Sequence, residues 1–299
     1  MDTIKCNSVI ESVLNDGNVA VGQYFDSEVL FLKTPIMPPI DDVIKDEIEE
    51  LKKYPKLKRS LTVILETPGG YIETVERIVD IFRHHFKVVN FVVPNYAYSA
   101  GTILALSGDD IFMNYYSVLG PIDPQVDIDG TGQSLPGLGY LAKWEELVRQ
   151  INDPAKKPEE IRAQLGYLIN KFDAATLFTI EQAIEHARQL LREWLPVYKF
   201  KNWKITEGSG KKVTLADRRQ RASDIADILS DATRWHSHGR GVGMKELGGE
   251  EIKLKISNYG DNPELYENIS HYYGLLVDYM GKNRYNAALH SRRGVRKLS

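Results

Sequence analysis

The sequence has almost no cysteine and no excess of charge of either sign. Cys6 is the single cysteine among 299 residues. One thiol excludes an intramolecular disulfide and a zinc site built from several thiolates, and it is typical of a reducing compartment. The 38 basic and 41 acidic residues leave a formal net charge of -3, so no overall basic field favours a nucleic-acid partner.

Long apolar runs are absent as well. The longest, Val88 to Val93 and Thr102 to Leu106, are far too short to cross a bilayer. The first residues lack the basic segment and apolar core of a secretory signal, so we expect a cytoplasmic protein without a membrane segment. The composition, 42% hydrophobic and 26% charged, is typical of a soluble globular protein.

What the first half of the chain does contain is an alternation of strand and helix patterns. Apolar, β-branched runs predict strands at Val19–Val21, Val29–Leu32, Leu61–Leu65, Val88–Val93 and Ile111–Met113. Apolar residues at helical spacing predict helices at Ile40–Tyr54, Ile72–His85 and Thr102–Ser107. This order implies right-handed crossovers and a mainly parallel sheet, and therefore an α/β fold.

The pattern changes after Gly120. We predict a Gly-rich loop at 127–139 and mostly helix over 140–195 with a break at Pro154 and Pro158. Further on, the patterns predict a helix at Leu215–Leu229, a short strand at Ile252–Ile256, a helix at Pro263–Met280 and a flexible basic tail.

Two loops at the carboxyl ends of predicted strands carry the functional signal. The first is Glu66-Thr67-Pro68-Gly69-Gly70, and the second is Asn95-Tyr96-Ala97-Tyr98-Ser99-Ala100-Gly101-Thr102. Open α/β sheets place their ligands at this edge. Ser99 at a helix start is a candidate nucleophile, and the N–H groups of Gly70 and Ala100 are candidate donors to an oxyanion.

The glycines have supporting roles in this interpretation. Gly69 lets the backbone approach a substrate closely, and Gly120 begins a segment that pairs with an extended peptide. The alternative for Ser99 is a small residue chosen for close packing of helix on sheet. The alternative for Pro68-Gly69-Gly70 is an ordinary tight turn.

The general base is less well marked. No histidine lies between His85 and His186, and His84 and His85 fit a solvated helix end. Lys143 is the candidate base because desolvation turns a lysine into a proton acceptor; the alternative is an exposed lysine on an amphipathic helix. His186, His236 and His238 remain alternatives that depend on tertiary contacts. His236 and His238 lack a nearby carboxylate, so we expect no metal site.

Four segments resemble the serine dehydrogenase proteinase family of the Clp/crotonase superfamily, which is related to signal peptide peptidase A. They are Glu66–Gly70, Tyr98–Thr102, Ala105–Ile111 and Leu119–Gln125. The resemblance, strong from Leu61 to Val126, implies a spiral of ββα units with a mainly parallel sheet and a helical C-terminal region. It also implies Ser99 as nucleophile, Gly70 and Ala100 as oxyanion donors, Lys143 as base, no cofactor and a homo-oligomer. Tyr98 departs from the small or Met-like residue that the family has before the serine.

On this basis we divide the chain into a serine peptidase core at 1–200, an extension packed on the same domain at 201–290 and a basic flexible tail at 291–299. The predicted function is a cytoplasmic serine peptidase that acts on a peptide or protein substrate through a Ser-Lys dyad. A crotonase-like acyl-CoA enzyme and a non-catalytic peptide-binding scaffold are the alternatives.

Overall fold

A mainly parallel sheet of seven strands forms the centre of the computed structural model, which describes residues 3–55, 57–122, 125–127, 134–235 and 239–298. The strands are β1 (Glu28–Lys33), β2 (Ser60–Glu66), β3 (Val88–Val92), β4 (Tyr96–Ala97), β5 (Asp110–Met113), β6 (Val118–Leu119), β7 (Gln125–Asp127), β8 (Ser134–Pro136), β9 (Val242–Gly243), β10 (Ser257–Asn258), β11 (Ala288–Ser291) and β12 (Gly294–Lys297).

The helices lie on both sides of this sheet. They are α1 (Thr3–Phe25), α2 (Ile40–Leu51), α3 (Ile72–His85), α4 (Ala100–Leu106), α5 (Gly137–Ile151), α6 (Pro158–Lys171), α7 (Ala174–Val197), α8 (Leu215–Leu229), α9 (Ala232–Trp235), α10 (Met244–Gly248) and α11 (Pro263–Lys282). None of the helices in the described ranges is long and apolar enough to cross a membrane.

The strand order in the central sheet is β10-β5-β3-β2-β1-β11-β12. The first five strands run parallel, while β11 and β12 are antiparallel to their neighbours. Both faces of the sheet are covered, and the middle strand β2 is accordingly buried over all but its first residue. The prediction of a mixed α/β fold with a mainly parallel sheet and a helical C-terminal region is confirmed.

Two cores result from the alternation of side chains along each strand. Leu30 and Leu32 of β1 face a large core that includes apolar residues of α2, α3, α4, α7 and α8. Phe31 faces the opposite side, where it packs with residues of α1 and α11. Because α7 and α8 share the first core, residues on both sides of position 200 pack together; the boundary at residue 200 remains a prediction.

A small second sheet connects the two signature loops. Its order is β4-β6-β9, with β4 parallel to β6 and β6 antiparallel to β9. The backbone of Thr67, just beyond β2, bridges to Ala97 of β4. Through this bridge the second sheet continues the carboxyl edge of the central sheet, where the candidate site lies.

The predicted strand at Val19–Val21 is wrong, because these residues belong to α1. Leu14, Asn18 and Val21 are buried at helical spacing, whereas Val19 is 48% exposed. The apolar period of 3.6 residues, extended over the whole N-terminal segment, therefore outweighs the local β-branched content.

The predicted strand at Ile252–Ile256 is also wrong, since the strand in this region is β10 at Ser257–Asn258. Ile252 and Leu254 are buried in the large core, which explains the alternating pattern. Lys253 between them has a φ of 50°, so the backbone is not extended there. The alternating apolar pattern of this segment therefore reflects a loop whose apolar side chains are buried.

Much of the tail predicted to be flexible at 291–299 instead forms strand, because β11 ends at Ser291 and pairs with β12, and the two extend the central sheet. Arg293 forms an ion pair with buried Glu47 at 2.8 Å, and Arg292 lies 3.3 Å from Glu28. The arginines are thus neutralised by carboxylates of α2 and β1. The Gly-rich loop predicted at 127–139 likewise includes β8, which pairs with β7; residues 128–133 lie outside the described ranges.

Candidate active site

Ser99 occupies a sharp turn between β4 and α4. Its φ of 52° and ψ of -116° are rare for a residue with a side chain. Such a conformation persists only where the surroundings enforce it, and it is found at catalytic serines that stand on strand-to-helix turns. The carbonyl of Ser99 accepts the N–H of Thr102 at 2.9 Å, and the carbonyl of Tyr98 accepts that of Gly101 at 2.8 Å. Hydrogen bonds to the carbonyls of Tyr98 and Ser99 therefore hold the turn in place.

The Gly69-Gly70 turn lies directly against Ser99. Gly69 has a φ of 104°, and a Cβ there would be 2.7 Å from the Tyr98 carbonyl oxygen and 3.0 Å from the Ser99 Cβ. Gly70 has a φ of 154°, and its Cβ would be 2.0 Å from the Ile36 carbonyl oxygen. Only glycine fits at either position, because any side chain collides with backbone.

Thr67 joins the two signature loops through its backbone. Its N–H donates to the Tyr96 carbonyl at 3.1 Å, and its carbonyl accepts the N–H of Tyr98 at 3.0 Å. The hydroxyl of Thr67 accepts the N–H of Gly69 at 3.1 Å. A Cβ on Gly101 would lie 2.3 Å from the Thr67 Cγ2, so this glycine permits the close approach. The loops are one hydrogen-bonded unit.

The two candidate oxyanion donors border the same turn. Within the described part of the chain, neither the N–H of Gly70 nor that of Ala100 donates to a backbone carbonyl. The Ala100 nitrogen lies 3.4 Å from the position that a Cβ on Gly69 would take. Uncommitted N–H groups held rigidly beside a hydroxyl are what stabilisation of a tetrahedral oxyanion requires.

Gly120 brings a third segment to Ser99. A Cβ on Gly120 would lie 3.3 Å from the Ser99 nitrogen and 2.7 Å from a ring carbon of Tyr98. The buried hydroxyl of Thr102 accepts the N–H of Gly120 at 2.9 Å. It also lies 2.9 Å from the carbonyl oxygens of Ala97 and Gly120, and it donates to one of them. The fold thus brings Ser99, Ala100 and the three predicted glycines together.

Lys143 is not brought to Ser99 in the same way. It lies on α5, 51% exposed, where its ammonium pairs with Glu146 at 2.9 Å. This pairing lowers the pKa of the Glu146 carboxyl. Helix α5 packs through Leu138 against Ile180 and Ile184 of α7. An exposed ion pair contrasts with the desolvated surroundings that prepare a lysine to accept a proton.

His186, the alternative base that the structure describes, has a carboxylate partner. His186 on α7 pairs with Glu76 of α3 at 3.2 Å. His84 and His85 lie at the end of α3, and burial lowers the pKa of His85. His236 and His238 lie outside the described residues. Over the described chain, no three His, Cys, Asp or Glu side chains are grouped to hold a metal ion.

The sequence prediction missed the polar residues that support the turns, namely Thr67, Thr102 and Glu66. Glu66 is 2% exposed and pairs with Lys33, its partner in the parallel register of β1 and β2. A signal for this pair exists in the sequence, since Lys33 and Glu66 each follow an apolar run at the end of a predicted strand. Nothing comparable marks the two threonines.

Comparison with known proteins bears on this arrangement. Residues 19–134 match the family model of the ClpP-like SDH-type serine proteinase. The resemblance stated from the sequence is confirmed. The matched region includes Ser99, Ala100, Gly69, Gly70 and Gly120, and it ends before Lys143.

Two proteins of Methanocaldococcus jannaschii are similar to part of the chain. The uncharacterized protein MJ1495 is 30% identical over 127 residues, which are 42% of this chain and 43% of that protein. The uncharacterized protein MJ0137 is 37% identical over 79 residues, which are 26% of this chain and 27% of that protein. The chain therefore matches less than half the length of either relative.

Two solved structures of the 1510-N membrane-bound stomatin-specific protease are also similar. For a serine-to-alanine variant, the structural match covers 81% of this chain and 84% of the protease chain, with a TM-score of 0.43 and 14% identity. For a lysine-to-alanine variant in complex with a substrate peptide, the match covers 81% of this chain and 80% of the protease chain, with a TM-score of 0.45 and 15% identity.

Proposed function

We propose that this chain is a serine peptidase that hydrolyses peptide bonds through an acyl-enzyme, with Ser99 as the nucleophile. The observation that carries the proposal is the contact of Gly69 with Ser99, which sets a strained serine beside the uncommitted N–H groups of Gly70 and Ala100. A ClpP-like serine proteinase family match over the same residues supports it.

In the proposed reaction, the Ser99 Oγ attacks the carbonyl carbon of the scissile peptide. The hydroxyl proton passes to a general base, and the N–H groups of Gly70 and Ala100 hold the resulting oxyanion. The protonated base then gives its proton to the leaving amine. Water, deprotonated by the same base, hydrolyses the acyl-enzyme and regenerates the serine.

Lys143 is the proposed base. To act as a base, the Lys143 ammonium must first leave Glu146 and lose a proton to solvent. The neutral amine must then reach the Ser99 hydroxyl. Lys143 lies on a helix that packs on α7, whose residues share the large core with α4 behind Ser99. We also propose that the protein is cytoplasmic, acts without a cofactor, and works as a homo-oligomer.

The exposed ion pair of Lys143 with Glu146 favours a second candidate, a non-catalytic peptide-binding scaffold. Such a scaffold keeps the segment at Gly120 that we expect to pair with an extended peptide, but it has no base. The crotonase-like acyl-CoA enzyme needs the two N–H donors and no serine, so it gives no reason for the φ of 52° at Ser99.

Hydrolysis of fluorescein-labelled casein and of a quenched peptide mixture tests the proposal. We expect cleavage by the purified protein, and loss of cleavage in Ser99→Ala with binding of the peptides retained. Equal cleavage by Ser99→Ala would reject the nucleophile. Peptide binding without turnover, in the unmodified protein, supports the scaffold, and saturable binding of acetyl-CoA supports the acyl-CoA enzyme.

A further inference from the structure

A buried carboxylate stands at the base of both signature loops. Glu66 is the last residue of β2, and it is 2% exposed. One carboxylate oxygen pairs with the Lys33 ammonium, and the other accepts a hydrogen bond from the Tyr273 hydroxyl of α11. Burial and the neighbouring Glu66 carboxylate raise the pKa of the Tyr96 hydroxyl of β4. Three elements of the fold thus converge on one side chain.

The partners supply what a buried carboxylate needs. An ionised group taken out of water is costly unless it is paired and hydrogen-bonded. The Lys33 ammonium supplies the charge, and the Tyr273 hydroxyl donates a hydrogen bond. Burial, with Glu66 as a further cause, raises the pKa of both Tyr96 and Tyr273, so both hydroxyls are protonated at neutral pH and able to donate.

Tyr96 connects this carboxylate to Ser99. The Tyr96 ring stacks on the Tyr98 ring, with centroids 5.0 Å apart and an interplanar angle of 17°. Tyr98 directly precedes Ser99, and its ring lies against Gly120. On the other side, Glu66 is bonded covalently to Thr67, whose backbone pairs with Tyr96 and Tyr98. The carboxylate therefore fixes the start of both loops.

We propose that Glu66 is a positioning residue for the candidate active site: through the Tyr96 hydroxyl it holds the Tyr96–Tyr98 pair, and so sets Ser99 relative to the Gly69-Gly70 turn. The inference deepens the proposed function and rests on it where Ser99 reactivity is the readout. It also assigns a role to Tyr98, the residue that departs from the family pattern, since a large ring at this position provides the stacking surface for Tyr96.

The test compares Glu66→Gln, Tyr96→Phe and their double variant with the unmodified protein. Tyr96→Phe removes the hydroxyl but keeps the stacked ring. Tyr279→Phe is the matched control, because Tyr279 lies on α11 and donates to a carboxylate, Glu11, at 2.7 Å on another part of the fold. Two quantities are measured: the rate of Ser99 labelling by a fluorophosphonate, and deuterium exchange at 66–71 and 95–101.

We expect Tyr96→Phe and Glu66→Gln each to slow labelling roughly 10- to 100-fold, because small displacements of a reacting group have effects of this size. The double variant should be no slower than the slower single one, since both changes break one link. Exchange should rise at both segments. Tyr279→Phe should lower the melting temperature without affecting labelling or exchange at either segment.

Labelling at the unmodified rate in folded Tyr96→Phe, with unchanged exchange, would overturn the inference and show that the network acts on stability alone. If Glu66→Gln fails to fold, Tyr96→Phe decides. If the unmodified protein is not labelled at Ser99, the proposed nucleophile fails, and exchange alone decides: a rise at both segments in Tyr96→Phe supports positioning by Glu66, and no rise rejects it.

Discussion

Gly70 passes Ile36 so closely that a Cβ on the glycine would lie 2.0 Å from the Ile36 carbonyl oxygen. The N–H of Tyr71 donates to that same oxygen at 2.8 Å, and the N–H of Ile36 donates to the Gly69 carbonyl at 2.8 Å. The turn that aims the Gly70 N–H is thus clamped between the segment after β1 and the Ser99 loop. Its geometry is a property of the sheet edge as a whole.

We predict that Gly70→Ala abolishes labelling of Ser99 and destabilises the protein, because the methyl group displaces the backbone of Ile36. Gly166→Ala is the control, since a Cβ at this helical position of α6 meets nothing within 4 Å. The control should be stabilised by about 0.5–1 kcal/mol, the helix propensity difference between the two residues. Urea unfolding and labelling measure both effects. Normal reactivity in Gly70→Ala would argue against a role for this N–H.

Replacement of Thr102 by valine should lower the free energy of unfolding by roughly 1–3 kcal/mol, because the N–H of buried Gly120 loses its acceptor. The segment beside Ser99 should loosen, with slower labelling. Thr179→Val removes an exposed hydroxyl that only returns to the Ala175 carbonyl of its own helix. That control should stay within about 0.5 kcal/mol of the unmodified protein. Equal effects in the two variants would contradict a special role for Thr102.

The stability of the fold should depend on pH through His290 of β11. This residue is 0% exposed; Nδ1 accepts the Tyr272 hydroxyl at 2.5 Å and Nε2 donates to Asn15 at 3.2 Å. Burial lowers its pKa from 6.5 to about 4. The unfolded chain therefore binds a proton that the folded chain excludes. Stability is complete above pH 6.5 and falls as the pH drops toward 4, by roughly 3 kcal/mol.

Urea unfolding of His290→Asn at pH 7, 6, 5 and 4 checks this expectation. The variant should be less stable at pH 7 and should lose the part of the pH dependence that belongs to His290. His271→Gln, which changes an exposed histidine of α11, should keep the full dependence. The interpretation fails if His290→Asn retains the slope of the unmodified protein between pH 6.5 and pH 4.

Lys143→Met should slow Ser99 labelling 10²- to 10⁴-fold if Lys143 is the general base, since this is the usual size of such a contribution. Lys282→Met is the matched control, because Lys282 pairs with Asp278 at 2.6 Å on the surface of α11. It should label normally. Labelling that survives Lys143→Met would move the base elsewhere, and His186→Gln would be the next variant to measure.

The sequence predicted the centre of the fold well because its strands and helices have strong apolar periodicity. The helices at Ile72–His85 and Leu215–Leu229 have the bounds predicted for them. The prediction failed where local pattern and tertiary context disagree. Val19–Val21 has β-branched residues but lies within a long amphipathic helix, and Arg292 and Arg293 are neutralised by distant carboxylates.

For the candidate site, the sequence predicted the backbone elements and missed their supports. Gly69, Gly70 and Ser99 are visible because turns and helix starts restrict residue choice locally. Thr102 and Glu66 act through residues that are far away in sequence, such as Gly120 and Tyr273. The proposed base, Lys143, is of this second kind, since no local pattern would bring a lysine on α5 to a serine before α4.

Labelling of the purified protein with a fluorophosphonate, followed by intact mass and peptide mapping, tests the central claim most directly. We predict one adduct per chain, located at Ser99 and lost in Ser99→Ala while the variant stays folded. An unlabelled but folded protein, or an adduct at another residue that persists in Ser99→Ala, would contradict the claim that Ser99 is an activated nucleophile.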